Sequence, residues 1–390
     1  MKILYISTWF PYPADNGARI RVFSQIKTLA KNNQIFLISM LQDDFKQEES
    51  KELAKYCKIV YLQEKSWFKA GTLKAILGYF NSKPRSVYSS YDKSFQEAVD
   101  LAVEDIKPDI TIASTLGSVE YVKINKTAKI IFDHHNCDYA SLQRSAALIK
   151  NPFKKVIAAL GVWKTAKYEL AQCKKFDIVS VVSESDKKSL MKLNSSISNI
   201  RVIPNAIDVD YYDPSLHKPK QNQLIYNGSP TFFANYDAIN YFEKQILSLI
   251  PNVELVVTGR TESVDLSLFT KTNFIGYQQD IRPILYESAV CVIPLRQGGG
   301  TRLKILEAMA AGVPVVSTSV GAEGLNAVNG EHLIIADSEA DFADAITKII
   351  QDPELAHRLK NNARKFVCKH YSWEVSGNKL NEAIGEAFSK

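Results

Sequence analysis

Residues 296–313 read RQGGGTRLKILEAMAAGV. Three glycines, Gly298, Gly299 and Gly300, run through Thr301 into a helical pattern whose second turn carries one acid, Glu307. A helix start bare of side chains presents orphan backbone N–H groups and the positive end of the helix dipole, and both suit a phosphate. Glycine lets a ligand approach the backbone closely. Arg302 and Lys304, read as lying just inside this helix, are unfavourable to its dipole, and an anionic ligand reverses that penalty. Glu307 would repel a phosphate, so it needs a neutral hydrogen-bonding partner such as sugar hydroxyls. A nucleotide carrying a ribose meets both demands. The competing readings are two solvated cations and a surface glutamate. The second loses force because Leu306, Ala308, Met309 and Ala310 are apolar or small.

Two further stretches offer chemistry. FDHHNCD (132–138) ends an apolar run and presents His134 and His135. A His–His pair serves a metal site or a satisfied loop, and with no other His cluster in view no metal is expected. WFPYPADNGAR (9–19) contains Asn16-Gly17, a good turn or a place for a ligand to meet the backbone. Several later strand ends also close on glycine, at Gly228, Gly259 and Gly276. One such glycine is ordinary turn chemistry; four strand ends of this kind, counting the triple glycine, point to a ligand-binding edge. The five cysteines are scattered without a CxxC pair, so neither a disulfide framework nor a zinc site is indicated.

The elements that must position these residues follow an α/β rhythm. KILYIST, IFLISM, KIVYL, DITIAST, AKIIFDHHN and DIVSVVSESD alternate with helical stretches in the first half. A second series runs from QLIYNGSP through VELVVTGR, TNFIGY, AVCVIPL, VPVVSTS and EHLIIA. At 390 residues and 46% hydrophobic, the chain is long enough for two cores, and two are expected rather than one. The expected division is a first domain over 1–208, a linker over 209–222, a second domain over 223–370, and a final helix over 371–390 that crosses back to the first. Two such sheets facing across a cleft would bind ligands at the C-terminal ends of their strands. No run of eighteen apolar residues occurs and the start lacks a signal-peptide pattern, so a cytoplasmic protein is expected. The net charge of +6 is concentrated. Residues 65–85 and 150–175 mix lysines with Trp and Phe, a composition suited to an anionic membrane surface or to a helix with one packed and one solvated face. No motif for nucleic acid accompanies the charge.

GGGTRLKILEAMAAGVPVVSTSVGAEGL resembles the donor-site signature of the family-four retaining glycosyltransferases, which have the GT-B fold. DIVSVVSESDKKSL, RVIPNAIDVDYY, FIGYQQDIRPILYESAVCVIPL, HYSWE and the N-terminal KILYISTWFPYPADNGARIRVFSQIKTLA match in order. The resemblance implies that Glu307 binds ribose hydroxyls, that His135 contacts the donor sugar near its anomeric carbon, and that Gly17 admits the diphosphate and the reacting sugar. It makes Gly228, Ser229, Gly259, Arg260, Tyr277, Gly299, Gly300, Thr301, Arg302 and Lys304 candidate donor contacts. Three departures stand out. Gly299 occupies the place of the family's first motif glutamate. NGSPTFFANYDA lacks the Arg and Lys that often clamp the diphosphate, a task that would pass to Arg302 and Lys304. Ala206 stands where glycine is usual, without evident consequence.

The reading is a metal-independent retaining glycosyltransferase. It would use a nucleotide diphosphate sugar and a glycan, glycolipid, lipid-linked or small-molecule acceptor, with no further cofactor. His135, Arg302 and Lys304 would serve catalysis. A sugar-nucleotide epimerase of the same fold and a nucleotide-sugar-binding subunit without turnover are the alternatives, and transfer or hydrolysis of the donor separates them. A Rossmann dehydrogenase is disfavoured because no GxGxxG follows the first strand.

Overall fold

The computed structural model describes residues 1–42, 45–64, 68, 71–124, 128–147, 149–262, 264–298 and 302–389. The chain divides into two compact units, Met1–Asn205 with Ser376–Lys390, and Ala206–Val375. Each is a parallel sheet with helical crossovers.

The first unit holds β1 (Lys2–Ser7), β2 (Gln34–Leu41), β3 (Lys58–Glu64), β4 (Ile110–Ser114), β5 (Lys129–His134), β6 (Ile178–Val181) and β7 (Ile200–Val202). Their order is β3-β2-β1-β4-β5-β6-β7. Ile3, Leu4, Tyr5 and Ile6 are fully buried, as expected of an unbroken apolar strand covered on both faces. The order reverses between β1 and β4, and a sheet of this kind opens its ligand crevice there, beyond the carboxyl ends of the strands. The backbone at that edge is strained. Thr115, just past β4, has φ of +80°, unusual for a β-branched residue. Its N–H donates to Asp133 O at 2.9 Å and its hydroxyl meets that of Thr8 at 2.8 Å.

The second unit holds β8 (Lys220–Asn227), β9 (Glu254–Thr258), β10 (Thr272–Phe274), β11 (Ser288–Ile293), β12 (Val315–Ser317) and β13 (Ile334–Ile335), in the order β10-β9-β8-β11-β12-β13. Its reversal falls between β8 and β11. Residues 206–219 belong to this unit: Ile207 bridges Ser372, and Lys218 N donates to Tyr286 O at 2.9 Å.

The Trp373–Phe388 helix joins the first unit from Ser376 onward. Ser376 Oγ donates to Pro204 O at 2.8 Å, and Arg201 Nε donates to Glu386 Oε2 at 2.7 Å. Gly377 lies so close to the Gly17–Leu29 helix that a Cβ there would stand 2.3 Å from Thr28 Cγ2. Among the described residues no helix is long and apolar enough to cross a membrane.

That contact is testable. Gly377→Ala should lower the melting temperature by roughly 3–10 °C, because the inserted methyl overpacks the seam between the two helices. Thr28→Ala in the same chain removes the opposing methyl and should restore most of the loss. A single mutant as stable as the parent would refute the tight seam.

Candidate functional site

The second unit assembles most of the chemistry at the C-terminal edge of its sheet. β8 ends at Asn227, whose Nδ2 donates to Glu307 Oε2 at 2.7 Å. Thr258, the last residue of β9, donates its hydroxyl to Asn227 Oδ1 at 2.8 Å and fixes which way that amide faces. The Tyr212 hydroxyl also hydrogen-bonds the carboxylate. Burial raises the Glu307 pKa above the usual carboxylate range, and the Lys304 charge and these hydrogen bonds only partly oppose it.

Lys304 lies one turn before Glu307 and so shares its helix face. Its Nζ donates to Tyr226 Oη at 3.0 Å and to Asn235 Oδ1 at 2.9 Å, and sits 4.2 Å from the Tyr226 ring centroid. An ammonium has three donor hydrogens, so these two bonds leave capacity for a ligand. Burial, with the charge of Arg302 adding to it, pushes the Lys304 amine down to about 7. Gly228 makes room for it: a Cβ there would stand 2.5 Å from Nζ.

Arg302 corrects the sequence reading. The helix runs Leu303–Ala311, and Arg302 is its N-cap in extended conformation rather than a residue inside it. Ile305 N donates to Arg302 O at 3.0 Å, and Leu303 is the first side chain the helix buries. The guanidinium folds back over Gly298, whose φ of +119° suits only glycine; a Cβ there would lie 2.8 Å from Nη2. No side chain caps the helix and no acid occupies its first turn. Gly299, Gly300 and Thr301 lie outside the described residues.

The neighbouring strand ends are knitted together. Ser229 Oγ donates to Arg260 O at 2.5 Å, and Gly259 N donates to Gly276 O at 2.9 Å. Gly259, at φ +107°, lies against Ser229, where a Cβ would come within 2.5 Å of the Ser229 backbone. The Arg260 guanidinium stands 5.7 Å from the centroid of the half-exposed Tyr277 ring.

The first unit carries a separate polar cluster. Asp133, on β5, is buried and accepts from Arg21 Nη2 at 2.6 Å and Nε at 3.1 Å, and from Ser180 Oγ at 2.5 Å. Arg21 Nη1 donates to Ile203 O at 2.9 Å and to Asn205 Oδ1 at 3.2 Å. Burial opposes the Asp133 charge, yet Arg21 and His135 hold its carboxyl well below the usual range. His135 Nε2 lies 3.1 Å from Asp133 Oδ2 and 2.8 Å from Ser114 Oγ. An ionised carboxylate only accepts, so Nε2 carries the proton, and burial keeps the ring neutral by lowering its pKa. His135 Nδ1 is therefore an acceptor, suited to a ligand hydroxyl.

His134 points elsewhere. It is 1% exposed, and its Nε2 lies 3.1 Å from Glu169 Oε1. Glu169 also accepts from the backbone of Asp138 at 2.7 Å and Tyr139 at 3.3 Å, tying down the start of the Asp138–Ala147 helix. Burial works against a charged His134, but Glu169 outweighs it and the pKa is raised. Gly17 is the exposed first residue of its helix, behind the Asn16 cap, and not part of the preceding loop as read from the sequence. Asn16 Oδ1 accepts from Arg19 N at 3.2 Å, which draws the helix back to residue 17. The cysteines form no disulfide among the described residues; burial pushes the Cys57, Cys173 and Cys291 thiols up to about 12. Among the described residues no three His, Cys, Asp or Glu side chains are grouped to hold a metal.

The family model described as glycosyl transferases group 1 matches residues 221–352, the segment that holds Asn227, Lys304 and Glu307. The whole chain superposes on the sucrose-phosphate synthase of Thermosynechococcus elongatus with a TM-score of 0.75, at 15% identity and 100% coverage of both chains. Its two doubly wound units thus have the GT-B fold. An uncharacterized 44.6 kDa protein in the cps region of Klebsiella pneumoniae is 22% identical over 95% of this chain and 96% of its own length. An Escherichia coli UDP-Gal:alpha-D-GlcNAc-diphosphoundecaprenol alpha-1,3-galactosyltransferase is 24% identical over 49% of this chain and 55% of its own length. The chain spans about half the length of that relative.

Several residues of the candidate sites escaped the sequence reading. Asn227, Thr258, Tyr226 and Asn235 position Glu307 and Lys304, and Arg21, Asp133, Ser114 and Ser180 surround His135. The available signal was a polar residue closing an apolar strand, as in QLIYN and IIFD. The two histidines predict different phenotypes. His134→Ala strips the partner from a buried carboxylate and should cost about 3 kcal/mol of stability at neutral pH. Because the folded His134 pKa is raised, its contribution is full below the unfolded value near 6.5 and fades as pH rises through the folded pKa. The gap in thermal unfolding between parent and variant should therefore narrow in alkaline buffer. A constant difference across pH would contradict the charged pair.

Proposed function

We propose that the protein is a retaining, metal-independent glycosyltransferase. It takes a sugar from a nucleotide diphosphate donor and transfers it to a hydroxyl of a glycan or lipid-linked acceptor in cell-surface polysaccharide or glycoconjugate synthesis. The observation that carries the reading is the pairing, on one helix face, of Glu307 with the cation Lys304 beside an uncapped helix start. Glu307 takes the ribose hydroxyls, held to that task by Asn227. Arg302, Lys304 and the helix N-terminus take the diphosphate. The setting of the Klebsiella relative and the lipid-linked substrate named for the E. coli enzyme support the acceptor class and a site of action at the inner face of the membrane.

In the proposed reaction the bond from the anomeric carbon to the phosphate oxygen breaks while the acceptor oxygen bonds to the same face of that carbon. The acceptor proton passes to the departing phosphate oxygen. Negative charge grows on the diphosphate as the bond opens, and fixed cations are worth several kcal/mol at that point. His135 Nδ1 accepts a hydroxyl of the donor sugar. His135→Ala should then lower turnover far more than donor affinity.

Three measurements test the donor assignment. Glu307→Ala should weaken binding of the cognate nucleotide sugar by roughly 1.5–3 kcal/mol, read by calorimetry or thermal shift. Unchanged affinity together with a collapsed melting temperature would make Glu307 structural. Transfer should persist in excess EDTA, and Arg302→Ala with Lys304→Ala should abolish nearly all of it while each single variant retains some. Loss on chelation with recovery in Mg²⁺ would assign the neutralising charge to a metal. Lys304 sets the pH dependence. With its free-state pKa near 7, it is charged below that pH and neutral above. Donor affinity should fall as pH rises past 7, by at most about tenfold per unit, and Lys304→Met should flatten the slope.

A further inference from the structure

We infer that the first unit carries a docking surface for an anionic lipid bilayer, built from the exposed half of the Pro152–Lys175 helix and the adjoining Leu73–Leu77 helix. The inference deepens the reading above, because a lipid-linked acceptor is met at such a surface.

The long helix is capped by Asn151, whose side chain accepts from Lys154 N at 3.0 Å, and Pro152 occupies its first turn. From Lys164 onward it packs into the unit through Thr165, Tyr168, Glu169 and Cys173. Before Lys164 the Val162 side chain packs on the core, while residues 152–157 are exposed. Phe153, Val156, Ile157, Leu160 and Trp163 recur at spacings of three and four, which aligns them along one side of the helix. All five are exposed, Phe153 by 81% and Val156 by 71%. Over this stretch the stripe is about 15 Å long at 1.5 Å per residue.

Lys164 fastens the two helices together. Its Nζ donates to the carbonyls of Gly78 at 3.4 Å, Tyr79, and Asn81 at 2.7 Å, just past the end of the Leu73–Leu77 helix. That element adds Leu73, Ile76 and Leu77, and the turn after it adds Phe80, 88% exposed. A surface helix that leaves so many large apolar side chains in water is unusual, and exposed apolar surface of this extent marks an interaction site.

Charge selects the occupant. No Asp or Glu lies between Asp138 and Glu169, nor between Glu64 and Asp92. The same segments hold Lys150, Lys154, Lys155, Lys167 and Lys74, with Lys154 and Lys155 exposed within the apolar stretch. The Lys167 ammonium sits 4.3 Å from the Trp163 ring centroid. Apolar side chains that enter the acyl boundary, flanked by lysines at headgroup level, are what an anionic bilayer binds. A second copy of this chain would bring the same lysine-rich face to the contact.

Flotation with phosphatidylcholine vesicles, with and without about 30 mol % phosphatidylglycerol, tests the surface. The full chain should float with the anionic vesicles only, and less so in high salt. Phe153→Ser with Leu160→Ser, and separately Lys154→Gln with Lys155→Gln, should each reduce partitioning at least about tenfold. These side chains are exposed, so the melting temperature and any stabilisation by a nucleotide sugar should stay at the parent value. Absence of binding to anionic vesicles, or equal binding by parent and variants, overturns the inference. So does a dimer in sedimentation velocity that the same substitutions abolish while vesicles are ignored. Vesicle binding without stabilisation by any nucleotide sugar would sink the donor assignment and leave this surface standing.

Discussion

A carboxylate buried at the end of a central strand must be paired, and the first unit is organised around that requirement. Asp133 is 1% exposed, and its partners come from the Gly17–Leu29 helix, from β6 and from His135. Through Arg21 the same pair reaches the carbonyl of Ile203 and the side chain of Asn205, where the first pass of the chain through this unit ends. Losing one member of such a pair strands a charge in low dielectric and costs about 3–5 kcal/mol. The pair also has a chemical consequence. It fixes the tautomer of His135 and leaves Nδ1 as the acceptor. The strain at Thr115 belongs to the same edge, since its N–H donates to the carbonyl of Asp133.

The second unit solves a related problem with weaker forces. Lys304 and Glu307 are both half-buried on a short helix, and neither is balanced by an ion pair of short contact. Each is steered by a neutral amide, Asn235 for the lysine and Asn227 for the glutamate. Neutral partners orient a charge without cancelling it. The lysine therefore stays within reach of losing its proton, and the glutamate pKa stays high. A site left in this state gains from an anion at Lys304 and from hydroxyl donors at Glu307, two groups that a nucleotide diphosphate sugar carries close together. The glycines fit this account. Gly228 and Gly298 are the points where the backbone yields to the two cations, so their service to the site is partly to the protein's own side chains.

The sheets were readable because parallel strands buried on both faces leave unbroken apolar runs, and KILYIS and SAVCVI are such runs. β7 was not read as a strand, since three residues next to a proline leave no pattern. Gly17 and Arg302 were each misplaced by a residue or two across a helix boundary. Helix ends are set by caps, and the Asn16 cap and the extended Arg302 backbone depend on local geometry that composition does not express. The acid, the cations and the histidine pair could be named from residue types. Their partners could not, because Asn227 and Asn235 meet Glu307 and Lys304 across 80 and 69 positions of chain, and Arg21 meets Asp133 across 112. Spacing along a helix reveals neighbours one turn apart. Strand register decides the rest.

The absence of a diphosphate clamp in NGSPTFFANYDA has a physical counterpart in this site. The segment turns into a helix beginning at Phe233, with Phe232 and Phe233 half-exposed and packed on each other at 4.9 Å between centroids. No cation from this loop can therefore balance a diphosphate, and Asn235, the polar side chain that faces the site, spends its amide on Ser229 O and its carbonyl on Lys304. The loop has become a brace for a lysine that arrives from the helix opposite. A brace of neutral groups holds Lys304 where two of its hydrogens are used and its charge is still unmatched. A braced cation has less reach than a flexible one and more preorganisation, and in the proposed reaction preorganisation is the quantity that stabilises a charge developing on the leaving group.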